Sequence, residues 1–232
     1  MPFSHNNVFF QYSLGLIFYV KMKIVKSFQK KGQRFFMSDF NREMRRKDRE
    51  MPRDFGLHVI DKATYGTMAI PDKPYTYSVP LSIARYENTL YFHSAPAGKK
   101  TELFDQEPLV CVSFVGDVEV PENYTNEELR ELLKDPKQWS MLARNVFTTQ
   151  YESAMVYGKV HQVSDEEEIK LALRTIAQKF TPDKMEFVEK AIEAGIHRVR
   201  IYAVSIDHVT AKRKKYDEEG VEMKFQRGWR EN

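Results

Sequence analysis

The chain has 232 residues, of which 42% are hydrophobic and 13% aromatic. That is ample material for a packed core, which excludes a disordered chain, and the length allows one decorated domain or two small ones. The net charge of +3 hides an asymmetry: residues 1–53 hold 12 Lys and Arg against 4 Asp and Glu, the remainder 24 against 29. The body is therefore mildly acidic, and with no binding motif or long basic stripe it gives no basis for a nucleic-acid partner.

Val8 to Val20 is apolar but short, and Gln11, Ser13 and Gly15 interrupt it. A membrane-spanning helix needs about 20 largely apolar residues. A secretory signal places its positive charges before the apolar run, whereas Lys21, Lys23 and Lys26 follow it. No membrane span is expected. Residues 1–36 read as a leader, either disordered or a mis-called extension ahead of an alternative start at Met37. Asn41 to Glu50 is helix-prone but polar on every side, the pattern of a solvated arm.

Phe55 to Ala63 reads as a short helix, Tyr65 to Ile70 as a strand and Pro71 to Pro74 as its turn. From Tyr75 to Ala84 apolar and polar residues alternate, as in a strand with one buried face. Pro80 lacks an amide hydrogen, so this strand belongs at an edge or carries a bulge. Thr89 to Ser94 is the third strand, Gly98 to Gln106 a short helix and Pro108 to Gly116 the fourth strand. Consecutive strands with short turns predict an antiparallel meander. Cys111 lies in that fourth strand; as the single cysteine it forms no internal disulfide, which suits a reducing, cytoplasmic setting, and it reads as core packing.

Asp117 to Ser140 reads as an insertion, with a capping box at Thr125 to Glu128 opening a helix to about Leu133. Val146 to Val163 returns to strand, with Gly158 as a candidate bulge. Ser164 to Glu167 reads as a second capping box, and Ile169, Leu173, Ile176, Ala177 and Phe180 follow at helical spacing as a core-facing stripe. Pro182 opens a further helix that Gly195 ends, and Arg198 to Val209 is a long last strand. Six strands in mostly hairpin order with peripheral helices predict a mainly β (α+β) small barrel.

The chemistry concentrates in Tyr91-Phe-His-Ser-Ala-Pro-Ala-Gly-Lys-Lys100. A strand ends in His93 and Ser94, passes a small-residue turn, and delivers Gly98, Lys99 and Lys100 to a helix start. Taken singly, a strand-end histidine is a structural residue and a lysine pair a solvated helix start. Together they favour anion binding, because small residues admit a close ligand, and amide hydrogens with lysines beside them attract phosphate. His5, His58, His161, His197 and His208 show no metal-ligand spacing, and no metal is expected. Gly-x-Ser-x-Gly, Walker and Gly-x-Gly-x-x-Gly motifs are missing.

The order of these pieces resembles the flavin-binding split-barrel family, which includes pyridoxamine 5′-phosphate oxidases and, closer to this pattern, the nitroimidazole-resistance (Nim-type) flavoproteins. The resemblance rests on Arg46 to Glu50, Pro74-Tyr with Val79-Pro-Leu81, Tyr91 to Ser94, Gly98 to Lys100, and Tyr151-Glu-Ser153 before Gly158. It implies a domain over residues 37–213, with the 117–140 insertion and a tail at 214–232. It further implies a six-stranded antiparallel split β-barrel that forms a homodimer with FMN at the subunit interface. By position, Thr67, Met68, Ala69, Pro80, Leu81 and Ser82 line the isoalloxazine, while His93, Ser94, Gly98, Lys99 and Lys100 hold the ribityl phosphate. Ser153 reaches over from the partner subunit. The implied activity is an oxidoreductase that passes electrons from a reduced nicotinamide to a small organic acceptor such as a nitro compound. His93 and Tyr151 are the candidate catalytic residues. Rival readings are a non-catalytic flavin or haem binder using His93, a deazaflavin (F420) enzyme, and a pyridoxamine phosphate oxidase. The last is disfavoured because Gly98-Lys99 stands where those oxidases carry Arg-Lys, and because the tail Gln226 to Asn232 does not align.

Overall fold

The computed structural model of the chain describes residues 43–229, so the expectations about the leader, and part of those about the arm and tail, lie outside the described residues. From the arm onward the elements run β1 (Glu50–Met51), α1 (Arg53–Lys62), β2 (Gly66–Ile70), β3 (Tyr77–Leu81), β4 (Ala84–Tyr86), β5 (Thr89–Ser94), α2 (Lys99–Phe104) and β6 (Leu109–Glu119). Then follow α3 (Asn126–Leu132), β7 (Gln150–Gln162), α4 (Glu166–Phe180), α5 (Val188–Gly195), β8 (Arg200–Ser205) and β9 (His208–Lys214). In place of a polar helix the arm forms a single 3-10 turn, Lys47–Arg49.

The strands make an antiparallel split barrel. Its path is β3-β2-β6-β7-β8-β5-β4, with β9 also on β7 and β1 on β9. One edge of β7 is shared: β9 pairs with residues 151–157 and β8 with residues 160–162. That handover divides the sheet into two halves which enclose Met68, Ile70, Val112, Phe114, Leu90, Phe92 and Tyr202, and α1 closes the core with Phe55, Val59 and Ile60.

Nine strands are present among the described residues where six were expected, because two expected strands each divide and β1 is added. The run Tyr75 to Ala84 breaks after Leu81, where the chain leaves β2 as partner and joins β5. Arg198 to Val209 breaks at Ile206–Asp207 for the same reason, β8 lying in one half and β9 in the other. The strands are also not a simple meander: β2 takes β6 as its second neighbour, and β5 takes β8. Pro80 lies on β3, the terminal strand of its half, where a missing amide hydrogen costs nothing.

Gly158 is not a bulge. The β6–β7 ladder runs through it unbroken, and the register shift falls at Gly116–Glu119 instead. Cys111 is not core either: Val110, Val112 and Phe114 take the inward parity of β6, leaving its thiol half-buried on the outer face.

Thr125 caps α3 with both bonds of the expected capping box, and no residue of that helix is fully buried. The second box is replaced by a single cap one residue on: Asp165 rather than Ser164 accepts the Glu168 amide, at 2.9 Å, and the Glu168 carboxylate accepts from the Tyr91 hydroxyl instead. The predicted stripe on α4 packs on the outer face of β4, β5 and β8, against Ala84, Tyr91, Ile201 and Ala203.

Candidate functional site

Strand alternation sets what β5 presents. Leu90 and Phe92 point into the barrel, so Tyr91 and His93 point toward α4. The end of β5 is held by an aromatic cluster, in which Phe92, Phe104 and Tyr202 have ring centroids 5.0–5.6 Å apart. The Tyr202 hydroxyl and Arg200 both donate to Asp105, at 2.8 Å each, which anchors the far end of α2 on β8.

Between these anchors the turn is tightly specified. Ser94 is buried, with its Oγ 3.4 Å from Thr101 Oγ1, and Thr101 donates to the Ala95 carbonyl at 3.0 Å. The Ser94 hydroxyl therefore serves the strand-to-helix turn and is not exposed to a ligand. Gly98 precedes α2 with φ of +118°, a conformation that strains any other residue, and a Cβ added there meets nothing within 4 Å. The turn opens onto free space.

Lys99 sits on Asp72, with Nζ 2.6 Å from Oδ2, and lies 5.7 Å from the centre of the Tyr77 ring. That hydrogen bond holds the Asp72 carboxyl below the usual range and raises the Lys99 amine. Lys100 is half-buried and has no ion pair among the described residues. Asp72 and Tyr77 were not singled out from the sequence. Only their proximity to Lys99, across some 25 positions, reveals them.

The β2–β3 hairpin pairs Thr67 with Pro80, Met68 with Val79 and Ala69 with Ser78. Met68 and Leu81 are buried in the barrel, so their side chains do not line a surface ligand and only their backbone is available to one. Thr67, Ala69 and Pro80 have the outward parity. They share the outer face of this half with Cys111, Ser113, Val115, Ser153 and Met155, and Val115 is 51% exposed. Burial pushes the Cys111 thiol above its usual range, which disfavours the thiolate.

His93 and Ser82 come together in a groove of about 470 Å³ between the sheet, α4 and α5. Leu173, Ile176, Phe180, Ile192, Ile196 and Val199 give it an apolar wall, so part of the stripe read as core packing also lines a cavity. The predicted site residues thus fall into three neighbourhoods: Lys99 with Asp72 and Tyr77, His93 with Ser82, and Thr67, Ala69 and Pro80 on the outer face that also carries Ser153. Tyr151 stands apart from all three, two residues before Ser153. Both lie on β7 opposite Lys214 and Lys212, flanking the buried Glu152, which pairs with Lys62. Among the described residues no cluster of His, Cys, Asp and Glu fits a metal ion, and no helix is long and apolar enough to cross a membrane.

Residues 54–125 and 135–213 match the model of a family described as pyridoxamine 5′-phosphate oxidase. The unmatched residues, 126–134, span α3 and are fewer than the 117–140 read as an insertion. No match was found among curated protein sequences. Several solved structures share the fold. One is a candidate 5-nitroimidazole antibiotic resistance protein from Bacteroides thetaiotaomicron, 24% identical over 70% of this chain and 85% of that one, with a TM-score of 0.51. The flavocytochrome Anf3 from Azotobacter vinelandii is 16% identical over 78% of each chain, with a TM-score of 0.59. An FAD- and haem-binding protein from Mycobacterium smegmatis is 15% identical over 72% of this chain and 73% of that one, with a TM-score of 0.55.

Proposed function

The chain belongs to the pyridoxamine 5′-phosphate oxidase family, and from that premise we propose that it is a cytoplasmic, homodimeric FMN-dependent oxidoreductase. It passes electrons from a reduced nicotinamide to a small organic acceptor such as a nitro compound. The observation that carries this reading is the turn at Gly98. It is open to solvent, Lys100 beside it has no ion pair among the described residues, and Lys99 is engaged there by one carboxylate, the partly buried Asp72. A phosphate dianion satisfies both amines at once. Thr67, Ala69 and Pro80, with the backbone of Met68 and Leu81, form a half-open surface suited to a flat ring, while Ser82 lies with His93 in the groove beside α4. The exposed small and apolar residues of the same outer face suit a second copy of the chain, which brings Ser153 and Tyr151 to the site.

When bound, the flavin supplies the redox chemistry, and the protein supplies position and electrostatics. Lys99, Lys100 and the Gly98 turn hold the phosphate; His93 and Tyr151 are the candidates for holding or moving a proton. Ser94 acts at one remove, by fixing the turn through Thr101.

A visible absorption spectrum of the purified protein, followed by an FMN titration, tests the reading. The expected result is a flavin spectrum, with FMN affinity reduced about tenfold or more by the pair Lys99→Ala and Lys100→Ala. A colourless protein that takes up no FMN sinks the proposal. Full affinity in the double variant moves the phosphate elsewhere.

One observation favours a second reading, haem binding through His93: this imidazole faces an apolar groove of about 470 Å³. Two structural relatives are described as a flavocytochrome and as an FAD- and haem-binding protein. A Soret band that disappears in His93→Ala supports it.

A further inference from the structure

A second pocket, of about 740 Å³, lies where the arm before α1 meets the end of β9 and the chain beyond it. Its wall is strongly cationic. Arg46 is matched by Asp48 through two hydrogen bonds of 2.7 and 2.6 Å, and Arg49 by Glu222 at 2.6 Å. Lys224 lies 3.8 Å from Asp48 and 3.7 Å from Glu222, a third cation on two carboxylates already neutralised.

Two further cations have no carboxylate partner among the described residues. Arg144 is exposed on a π turn, Leu142–Val146, and its Nε and Nη2 donate to the Ser140 carbonyl and hydroxyl at 3.2 and 3.1 Å. Lys214 is only 6% exposed; its amine donates to two neutral acceptors, Thr148 Oγ1 and the Arg144 carbonyl, lies 5.7 Å from the centre of the Tyr216 ring and feels Glu222 only at longer range. With Glu219 at the rim, three carboxylates stand against five cations. A buried ammonium without a counter-ion is costly, and folds retain one where something negative completes it. The flavin site proposed above assigns no contact to any of these residues.

We propose that this pocket binds a small dianion of the phosphate class, with Lys214 at its floor and Arg144 closing over it. The charge balance selects the valence: one dianion brings the pocket to neutrality, with no rearrangement of the Arg46–Asp48 and Arg49–Glu222 pairs. An ammonium and a guanidinium lining one pocket suit a tetrahedral oxyanion better than a single carboxylate. Burial and the charge of Arg49 already push the Lys214 amine below its usual range, a penalty that a bound anion reverses. The site stands independently of the flavin reading.

The test is a phosphorus-31 NMR titration of the full chain with inorganic phosphate, alongside Tm against phosphate at constant ionic strength. A ligand that binds only the folded state raises Tm along a saturating curve. The expected result is saturation in the parent and a midpoint raised about tenfold or more in Lys214→Met and, separately, in Arg144→Met. Arg144 is exposed, so its variant remains informative if Lys214→Met does not fold. Saturating FMN, which fills the turn at Gly98, is expected to leave the response in place. Loss of the response under FMN assigns the effect to that turn and overturns the proposal. So does a linear Tm response, or one unchanged in Arg144→Met.

Discussion

Replacing Gly158 with alanine sets a methyl group against the corner that joins β8 to β9. A Cβ built there lies 1.7 Å from the Ser205 carbonyl oxygen, and that neighbour is backbone, which cannot swing aside. A relaxed carbon-to-oxygen contact is about 3.3 Å, so the corner or β7 must retreat by roughly 1.5 Å. Two hydrogen bonds span that contact, Asp207 N to Tyr157 O at 3.0 Å and Lys159 N to Ser205 Oγ at 3.5 Å, and a third, Ile206 N to Asn88 O at 3.0 Å, ties the same corner to the turn between β4 and β5. At about 1 kcal/mol net for each, with Val204 and Ile206 drawn partly out of the core, the loss is about 4 kcal/mol. For a chain of this size that corresponds to a Tm lower by about 8–16 °C. Thermal and guanidinium unfolding followed by circular dichroism measure it. Gly195→Ala is the control: nothing lies within 4 Å of its Cβ and its φ is −119°, so Tm should hold or rise slightly. A Gly158→Ala protein as stable as that control refutes the claim that β7 changes partners through a contact only glycine allows.

Asp72→Asn removes the carboxylate from Lys99 and should tighten FMN severalfold in a fluorescence-quenching titration; unchanged or weaker binding means that Asp72 does not compete with the phosphate. Lys62→Met strands Glu152, which is 6% exposed, and should cost about 3 kcal/mol or more, with Glu152→Gln recovering part of the loss in a double-mutant cycle. Burial lowers the Lys179 amine to about 8 from the usual 10.5, so between those values the unfolded chain binds more protons. Relative to Lys179→Met, the stability of the parent should therefore climb as pH rises from about 8 to 10.5, read as guanidinium midpoints. A flat difference across that window would mean that Lys179 is more hydrated than its two 2.8 Å bonds to the Ile60 and Ile83 carbonyls indicate.

Much of this architecture is legible in the sequence because alternation survives translation into strands. Phe92 and His93 face opposite ways, Pro80 lies on a terminal strand, and Gly98 takes a conformation that its type permits. The misreadings have identifiable causes. Leu81 and Ile83 continue a period of two straight through the crossing from one half-sheet to the other, so nothing local marks the break. Ser164 and Asp165 are equally good caps in isolation, and only the helix register chooses between them. Alternation also decides Cys111, whose apolar neighbours on either side take the inward positions. The candidate site was legible as a turn with lysines. That Lys99 is already engaged by Asp72, that His93 opens onto a separate groove, and that Lys214 is buried without a carboxylate are products of tertiary proximity alone.

The pairing of the arm with the far end of the chain has a consequence for how the protein comes to exist. Met51 pairs with Ala211, Phe225 N donates to Asp48 O at 2.8 Å, and the Trp229 ring stacks edge-on against Phe55 at 4.8 Å. Arg49 waits for Glu222, 173 positions later. At a synthesis rate of about 5–20 residues per second, that interval is about 10–35 s. Throughout it α1 carries Phe55 and Val59 with β9 and Trp229 still to be made, an exposed apolar helix on a nascent chain. Closure is therefore a late, long-range event, and such a topology folds slowly and is open to chaperone capture until its last segment emerges.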